Sequence, residues 1–515
     1  MRRRQRTLTF FVARQSRQLP APPYVKLWPD SWDDYGYKTM YSVSLRLDPT
    51  SDGEDEVELE LGNVKILRRS QTEGRPGIED QFSELGPDFC SIGQSIEYYE
   101  TLMQLPDDLR RSYLAALRDA VSDPDIEDQF YTEHGWTTSL LRFGQALNTL
   151  KAGRKLLQGS ELSKDRMSFN FVWNRDGYTS HIPFDFNDSG NLPGRCNILI
   201  GYNGVGKTTL LADLALAAIR GAEEQEQERS EIHGKDTTFG AVVAISYSAF
   251  DTFETPESIL DIRDSELLDR HLTTAFGYVY CGLRRQTSDA GDTFELKSIK
   301  EIEGEFVEAL TEIGGLETRH HLISAFEALA SEPSFGQAGI ELTQLGQVSQ
   351  ADAVDSFKEL STGHKVVLNI VTQLALHLRT RALVLIDEPE THLHPPLVAA
   401  LLRAVQVLLA ASNSFAIIAT HSPVVVQEIP SRFVHILERD VDGPASLRQP
   451  EIETFAENIG AITRHVFSLD NSATDYQGIL RSLAEQYSLD EIDGMFKEGL
   501  SVQGRALVAN YRNRQ

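Results

Sequence analysis

The sequence contains few cysteines, and this shortage excludes two kinds of site. Three cysteines (Cys90, Cys196 and Cys281) are scattered through 515 residues without a CxxC pair. This spacing argues against a disulfide framework and against a zinc site built from cysteine, and it suits a reducing cytosol. We therefore expect a cytoplasmic protein.

Long apolar runs are also missing. The longest apolar helix candidate, "PPLVAALLRAVQVLLAAS", contains Arg403 and Gln406, whereas a membrane span needs about 20 mainly apolar residues. The N-terminal stretch "MRRRQRTLTFFVARQ" is basic, but its apolar part is too short for a secretory signal peptide. We therefore expect neither a membrane segment nor a membrane partner.

Basic residues are outnumbered by acidic ones. The chain has 49 Lys and Arg against 76 Asp and Glu, a formal net charge of −27. A protein that grips DNA alone is normally basic on at least one face, and the overall field here repels nucleic acid. We therefore expect DNA contact to be local or to pass through a partner subunit. Candidate local patches are Arg2 to Arg6 and "LRRQ" at Leu283.

The length and patterning predict an α/β protein of two or three structural units. Short apolar runs such as "CNILI", "AVVAISY", "ALVLID", "FAIIAT" and "FVHILE" alternate with helical patterns, which predicts a parallel sheet with crossover helices. We divide the chain into an N-terminal strand region (1–70), a helical insertion (71–165), a phosphate-loop lobe (166–251), a helical lobe (252–350), a lobe with the remaining motifs (351–445) and a C-terminal helical region (446–515).

The stretch "GYNGVGKTTLL" from Gly201 lies between the apolar run "CNILI" and a helical pattern. This context is typical of a P-loop, whose backbone N–H groups and helix N-terminus bind phosphates, although a chance match to an ordinary loop is the alternative. Lys207 would reach the β- and γ-phosphates and support catalysis, and the Thr208 hydroxyl would hold Mg²⁺. The residues assigned to ATP here are Asn203, Gly204, Val205, Gly206, Lys207, Thr208 and Thr209.

Two further motifs follow apolar strands. Asp387 and Glu388 end the run "ALVLIDE", where Asp387 would bind Mg²⁺ and Glu388 would position and deprotonate the attacking water. Adjacent carboxylates also occur as simple strand caps, but a P-loop upstream favours the catalytic role. His421 follows the run "FAIIAT" and would hydrogen-bond the γ-phosphate, although a histidine at a strand end is also a common structural residue.

The stretch "ELSTGHKVV" places Ser361 and Gly363 at the start of a helix, which is either an anion-binding helix start or a plain N-cap. His392 and His394 form an H-x-H pattern, for which we expect no metal because no further ligands are evident nearby.

Taken in order, the P-loop, LSTGH, the Asp-Glu pair and the strand-end histidine resemble the ABC-type ATPase head. The wording "DEPETHLHP" resembles the AAA-family branch that holds the structural-maintenance, RecF-like and OLD-like ATPases. The resemblance covers about residues 167–440 and implies that Ser361 and Gly363 belong to the ABC signature motif. Two departures stand out: Ser248 or Asp251 takes the place of a Q-loop glutamine, and "THLHP" replaces the usual D-loop.

Together with the tail "ETFAENIGAITRHVFSLDN", these motifs resemble PtuA, the ATPase family of Septu-type antiphage defence systems. This resemblance implies an ATP-sandwiched homodimer or a higher oligomer that regulates a separate HNH nuclease. The alternatives are a RecF-like repair ATPase that clamps DNA itself and, fitting worst, an ABC transporter motor.

OLD-like proteins carry a metal-dependent nuclease after the head, and "ERDVDGP" offers Asp440 and Asp442. The remaining tail is too short for a whole nuclease domain, so we expect this stretch to be a turn.

Overall fold

The computed structural model describes residues 8–13, 22–30, 34, 36–47, 58–142, 144–159, 166–187, 192–219, 230–234, 239–259, 274–275, 277–286, 294–313, 316–337, 357–358, 360–391, 393–439, 443–466 and 475–513. The expected N-terminal strand region contains the strands Met40–Arg46 and Glu58–Arg68.

Residues 8–159, here called the N-terminal unit, fold around their own core. A six-stranded sheet has the order β5-β1-β2-β3-β4-β6, with β1 parallel to β2 and the other neighbours antiparallel. The strands are β1 (Thr9–Val12), β2 (Tyr24–Pro29), β3 (Met40–Arg46), β4 (Glu58–Arg68), β5 (Gln81–Phe82) and β6 (Phe89–Gly93). The helices are α1 (Ile96–Met103), α2 (Asp107–Ala116), α3 (Pro124–Phe130) and α4 (Gly144–Leu157), with a π-helical turn at Trp136–Leu140.

This arrangement differs from the expectation of a strand region within the ATPase head followed by a helical insertion. β6 lies inside the segment expected to be helical, and it pairs with β4. Helix residues such as Tyr98 and Leu102 join Val43 and Leu45 of the sheet in one buried cluster. Because strands and helices bury their apolar faces against each other, residues 8–159 form one packed unit.

The head begins with a hairpin of β7 (Arg166–Arg175) and β8 (Tyr178–Asn187). β10 (Glu231–His233) joins it in a three-stranded sheet of order β10-β7-β8. Alternate residues of β7, including Phe171 and Trp173, are buried, which is the period of a strand with one covered face. That face packs on α5 (Lys207–Ile219).

The head, residues 166–448, contains an eight-stranded sheet of order β12-β13-β11-β16-β17-β9-β18-β19. The six strands from β13 to β18 are parallel, and both edge strands are antiparallel. They are β9 (Cys196–Ile200), β11 (Val242–Ser246), β12 (Thr274–Ala275), β13 (Tyr278–Gly282), β16 (Leu383–Asp387), β17 (Phe415–Ala419), β18 (Val434–Arg439) and β19 (Ala445–Arg448). All five predicted apolar strands and the α/β class with a mainly parallel sheet are confirmed.

The segment 252–350, expected to be helical, also contains strands. β13 joins the main sheet, and β14 (Arg284–Gln286) pairs with β15 (Phe294–Leu296). In its described residues the head also contains the helices α6 (Pro256–Ile259), α7 (Ile299–Glu312), α8 (Leu316–Ala330), α9 (Pro333–Gln337), α10 (Thr362–His377), α11 (Pro395–Ala411) and α12 (Pro423–Gln427), and a 3₁₀ turn at Ser431–Phe433.

The described residues after β19 form the helices α13 (Ile459–His465), α14 (Asp475–Gln486), α15 (Leu489–Gly494) and α16 (Val502–Asn513). Leu480, Ala484, Ile492 and Val508 of the last three helices form a small separate core. None of the helices in the described ranges combines the length and apolar composition that a membrane span requires.

Candidate nucleotide-binding site

The three predicted motifs follow neighbouring parallel strands. The sheet order β16-β17-β9 places the P-loop, the Asp387–Glu388 pair and His421 after three adjacent strands. Carboxyl ends of parallel strands lie on one edge of a sheet, which is where ligands bind in doubly wound folds. The fold therefore brings together the residues that the sequence predicted.

The P-loop backbone depends on glycine at specific points. Gly204 and Gly206 have φ values of +83° and +103°, a region that favours glycine. A Cβ on Gly201 would lie 2.7 Å from the carbonyl oxygen of Leu437. A Cβ on Gly206 would lie 3.3 Å from the Trp173 ring. These positions explain the glycines of the motif by local geometry.

Lys207 is the first residue of α5, and its ammonium lies within the loop. Nζ donates to the carbonyl oxygens of Gly201 and Tyr202 at 3.0 and 3.4 Å, and the residue is only 5% exposed. Burial lowers the pKa of Lys207, and nearby carboxylates oppose this shift; they belong to Glu388, Asp387 and Glu390. The loop thus holds a cation beside a group of acids.

Thr208 and Asp387 connect the P-loop helix to β16. The Thr208 hydroxyl donates to Oδ2 of Asp387 at 2.9 Å, while Oδ1 is buried without a hydrogen-bond partner. Burial raises the pKa of Asp387 to about 7, and the Thr208 hydrogen bond acts in the opposite direction. A hydroxyl and a carboxylate supply the oxygen ligands that Mg²⁺ prefers, so these residues fit the predicted ion.

Glu388 and His421 face each other across the ends of β16 and β17. The Glu388 N–H donates to the carbonyl of Ala419 at 2.9 Å, and Glu388 has a φ of +46°, uncommon outside glycine. His421 Nδ1 lies 3.4 Å from Oε1 of Glu388 and 3.3 Å from Oε1 of Glu390. The side chain of Glu388 is 28% exposed and can therefore meet solvent.

Glu390 belongs to this site and was not predicted. Its Oε1 accepts from the Thr420 hydroxyl at 2.7 Å and from the His421 N–H at 2.8 Å. Its Oε2 is buried without a hydrogen-bond partner. The only signal in the sequence was a second carboxylate two residues after Glu388 in "DEPE". Glu390 therefore fixes the position of His421.

The other assigned loop residues surround this centre. Asn203 and Gly204 are exposed, and Val205 and Thr209 are half-buried.

Ser361 is the N-cap of α10 and is exposed. Its Oγ accepts from the His364 N–H and lies 2.6 Å from His364 Nδ1, whose ring contacts Ser334 through Nε2 at 3.0 Å. Gly363 lies in the first turn of the helix. The predicted helix start is confirmed, while its role toward a second chain stays a prediction.

Asp251, one of the two residues expected in place of a Q-loop glutamine, is buried. Its carboxylate accepts from the Tyr280 hydroxyl at 2.8 Å and lies 3.3 Å from Nε of Arg284. Ser248 is half-buried and accepts from the Phe250 N–H at 3.2 Å.

The patch "LRRQ" does not offer free cations for DNA. Arg284 contacts Asp251, and Arg285 pairs with Glu295 and Glu301 at 2.7 Å each. Both guanidinium groups are therefore paired with acids of the head. The other candidate patch, Arg2 to Arg6, lies outside the described residues.

His392, Asp440 and Asp442 also lie outside the described residues. His394 is the N-cap of α11 and makes no side-chain capping bond. Within the described residues no group of three or more His, Cys, Asp or Glu side chains could hold a metal ion.

Comparison with known proteins identifies a family domain and a full-length relative. Residues 239–427 match the family described as "AAA domain, putative AbiEii toxin, Type IV TA system". The matched segment contains Ser361, Asp387, Glu388 and His421. Protein ea59 of Escherichia phage lambda is 32% identical over 537 residues, covering 97% of this chain and 97% of that protein.

Two solved structures are similar to part of this chain. An ATP-binding cassette of an ABC transporter, MJ1267 in its ADP conformation, is 15% identical and covers 61% of this chain and 99% of its own, with a TM-score of 0.28. RNase-L Inhibitor is 17% identical and covers 56% of this chain, with a TM-score of 0.27, and this chain spans only 40% of it.

Proposed function

The chain belongs to the family of protein ea59 of Escherichia phage lambda and contains an AAA domain, and on that premise we propose that it is an ATPase. It binds ATP with Mg²⁺ and hydrolyses it as the regulatory subunit of a prokaryotic antiphage defence complex. The nucleotide controls its dimerisation and, through it, a separate nuclease of HNH type.

The hydrogen bond from Thr208 to Asp387 carries the ATPase part of the proposal. It joins the P-loop helix to the end of β16, with one carboxylate oxygen left buried and unpartnered. Thr208 and Asp387 would hold Mg²⁺, which, when bound, neutralises charge on the phosphate oxygens. The N–H groups of the P-loop bind phosphate, and the Lys207 ammonium moves from the loop carbonyls to the β- and γ-phosphates.

Glu388 accepts the proton of the attacking water. Its carboxylate is partly exposed and lies beside His421, so it can reach both solvent and the phosphate edge of the sheet. His421 donates a hydrogen bond to the γ-phosphate, and Glu390 holds its backbone in place. Loss of the γ-phosphate therefore changes the contacts of the end of β17.

The dimer and the nuclease partner rest on the family resemblance of the motifs. Ser361 stands exposed at the start of α10, where a second chain could present a nucleotide to it. In this arrangement ATP closes two sites between two chains, and its hydrolysis opens them.

ATP turnover by the purified full chain in the presence of Mg²⁺ tests the enzyme. Lys207→Ala should abolish ATP binding and turnover, because the phosphates lose their main cation. The exposed Lys151 of α4 provides a matched control: Lys151→Ala should leave both unchanged. Turnover that survives Lys207→Ala would remove this site from the reaction.

The regulatory part is tested by co-expression with an HNH nuclease encoded beside this chain. The pair should reduce phage plating, and Lys207→Ala should remove the protection while leaving the amount of both proteins unchanged. Protection that persists without a working ATP site, or that this chain provides with no nuclease, would contradict the proposal.

A further inference from the structure

The end of β4 and the loop after it form a cleft in the N-terminal unit, far from the P-loop in sequence. The cleft has a volume of about 470 Å³ and includes three arginines. Its lining includes Arg68, Arg69, Arg75, Gln71, Glu73 and Asp88. This volume lies within the range of ligand pockets, about 300–1,000 Å³.

Among the described residues, the three guanidinium groups have no carboxylate partner. No Asp or Glu oxygen of the described residues lies within 4.0 Å of Arg68, Arg69 or Arg75, although Glu73 and Asp88 also line the cleft. Arg46, Arg110, Arg142 and Arg154 of the same unit pair with acids. Arg118 instead donates to the Phe89 carbonyl and the Gln129 side chain. Three neighbouring guanidinium groups without an acidic partner among the described residues can accept an external anion.

Contacts with neighbouring groups hold these arginines in place. The Arg68 guanidinium lies 5.7 Å from the centre of the Phe89 ring, and that of Arg69 lies 5.3 Å from the Phe130 ring. Arg75 donates through Nη2 to the carbonyl of Asp30, while its Nη1 is buried without a hydrogen-bond partner. Cation–π contacts and one anchored nitrogen fix the charges.

The loop itself is also fixed. The Gln71 side chain accepts from the Arg68 N–H at 3.1 Å and donates to the Gly74 carbonyl at 2.7 Å. The Tyr37 hydroxyl donates to the Gln71 carbonyl at 3.0 Å. Because little ordering is left to be done on binding, the cleft can bind an anion at low entropic cost.

We propose that the cleft of Arg68, Arg69 and Arg75 binds a phosphate group, supplied either by a polynucleotide strand or by a small free phosphate. Guanidinium groups match the geometry of phosphate oxygens and bind them in pairs of hydrogen bonds. Arg68 and Arg69 are exposed, so a strand passing over the surface can reach them. The site is independent of the proposed ATPase, and it places a local anion contact on an acidic protein.

The test measures the binding of two probes to the full chain in the absence of ATP. Arg68→Gln/Arg69→Gln removes two charges at the cleft, and Arg111→Gln/Lys151→Gln removes two exposed charges elsewhere on the same unit. Fluorescence anisotropy with a labelled single-stranded oligonucleotide gives affinity against salt concentration. The cleft variant should bind the oligonucleotide about tenfold more weakly. The slope of log affinity against log salt concentration should become smaller by about 1.4, because each of the two lost phosphate contacts contributes about 0.7. The control variant should resemble wild type.

Calorimetry with inorganic pyrophosphate separates the two sources. If the cleft takes a small anion, the cleft variant should bind one pyrophosphate fewer per chain than wild type. Pyrophosphate bound at the P-loop does not affect this comparison, because all variants keep the same P-loop. Arg68→Lys/Arg69→Lys keeps the charges and should retain the salt slope. This result would show that the weaker binding of the Gln variant does not come from misfolding. If neither probe distinguishes the cleft variant from its control, or if wild type binds neither probe, the proposal is wrong.

Discussion

The backbone N–H of His421 donates to Oε1 of Glu390 at 2.8 Å, so the end of β17 is anchored to the loop that follows β16. The same oxygen accepts from the Thr420 hydroxyl, and the His421 ring lies within 3.4 Å of Glu388. The carboxylates of Glu388 and Glu390 therefore both lie beside His421, but they make different contacts with it. Glu390 accepts from the backbone N–H of His421, whereas no described backbone group donates to the Glu388 carboxylate, which leaves Glu388 available for water.

Glu388→Gln should retain ATP binding and lose most turnover. The amide keeps the shape of the side chain but cannot accept the proton of the attacking water, and a general base contributes about 10²–10⁴-fold to the rate. ATP affinity and single-turnover hydrolysis of the variant, measured beside wild type, check this. A rate within a few-fold of wild type would mean that another group accepts the proton.

Glu390 should respond differently to the same kind of change. Glu390→Gln keeps an oxygen that can accept from Thr420 and His421, so turnover should fall by less than about tenfold, whereas Glu390→Ala removes the anchor and should lower it by about 10²-fold. The turnover rates of these two variants, compared with that of Glu388→Gln, show which carboxylate accepts the proton of the attacking water. If Glu390→Gln proves as inactive as Glu388→Gln, the base is Glu390 or is shared by both.

The sequence located these motifs because each is a set of residue types placed directly after an apolar strand. Lys207, Thr208 and Asp387 could be assigned from such local patterns, and the contact between Thr208 and Asp387 agrees with that assignment. Glu390 could not be assigned, because its role depends on how closely the ends of β16 and β17 approach each other, and no local pattern contains that distance.

Long-range pairing limited the prediction of the fold in the same way. The pairing of β4 with β6 joins segments whose local patterns are a strand and the start of a helical region. Arg284 looks like part of a basic patch in the sequence, yet its partner Asp251 lies 33 residues earlier. Local patterns therefore located strands and motifs but not the partners of surface charges.

Asp119 should make the stability of the N-terminal unit depend on pH. It is buried, accepts from the Tyr99 hydroxyl at 2.7 Å, and burial raises its pKa from 3.8 to about 7. Between these two values the folded chain keeps a proton that the unfolded chain releases. The free energy of unfolding should therefore fall as the pH rises from about 4 to about 7, by roughly 1–3 kcal/mol from this group.

Asp119→Asn removes this titration while keeping the shape of the side chain. Thermal unfolding of wild type and variant, compared at about pH 5 and about pH 8, should give a difference between the two proteins that changes with pH. Parallel changes in both proteins would show that Asp119 is ionised in the folded chain throughout this range.

The last prediction concerns a site shared between two chains. Lys207 belongs to the P-loop of one chain, and we expect Ser361 to complete the site of the other. Lys207→Ala should be inactive because the phosphates lose their cation. Ser361→Arg should also be inactive, since a large side chain at the start of α10 would block the facing nucleotide.

Mixing these two inactive variants under conditions that exchange subunits should restore part of the turnover. In a mixed dimer one site carries both substitutions, while the other combines intact Lys207 from one chain with intact Ser361 from its partner. Ser361→Thr, which keeps the hydroxyl, should be active without mixing and serves as the matched control. Mixed dimers that are confirmed to form but remain inactive would contradict the shared site. Strict coupling between the two sites would give the same result, and tethered dimers with a single substituted site would distinguish the two explanations.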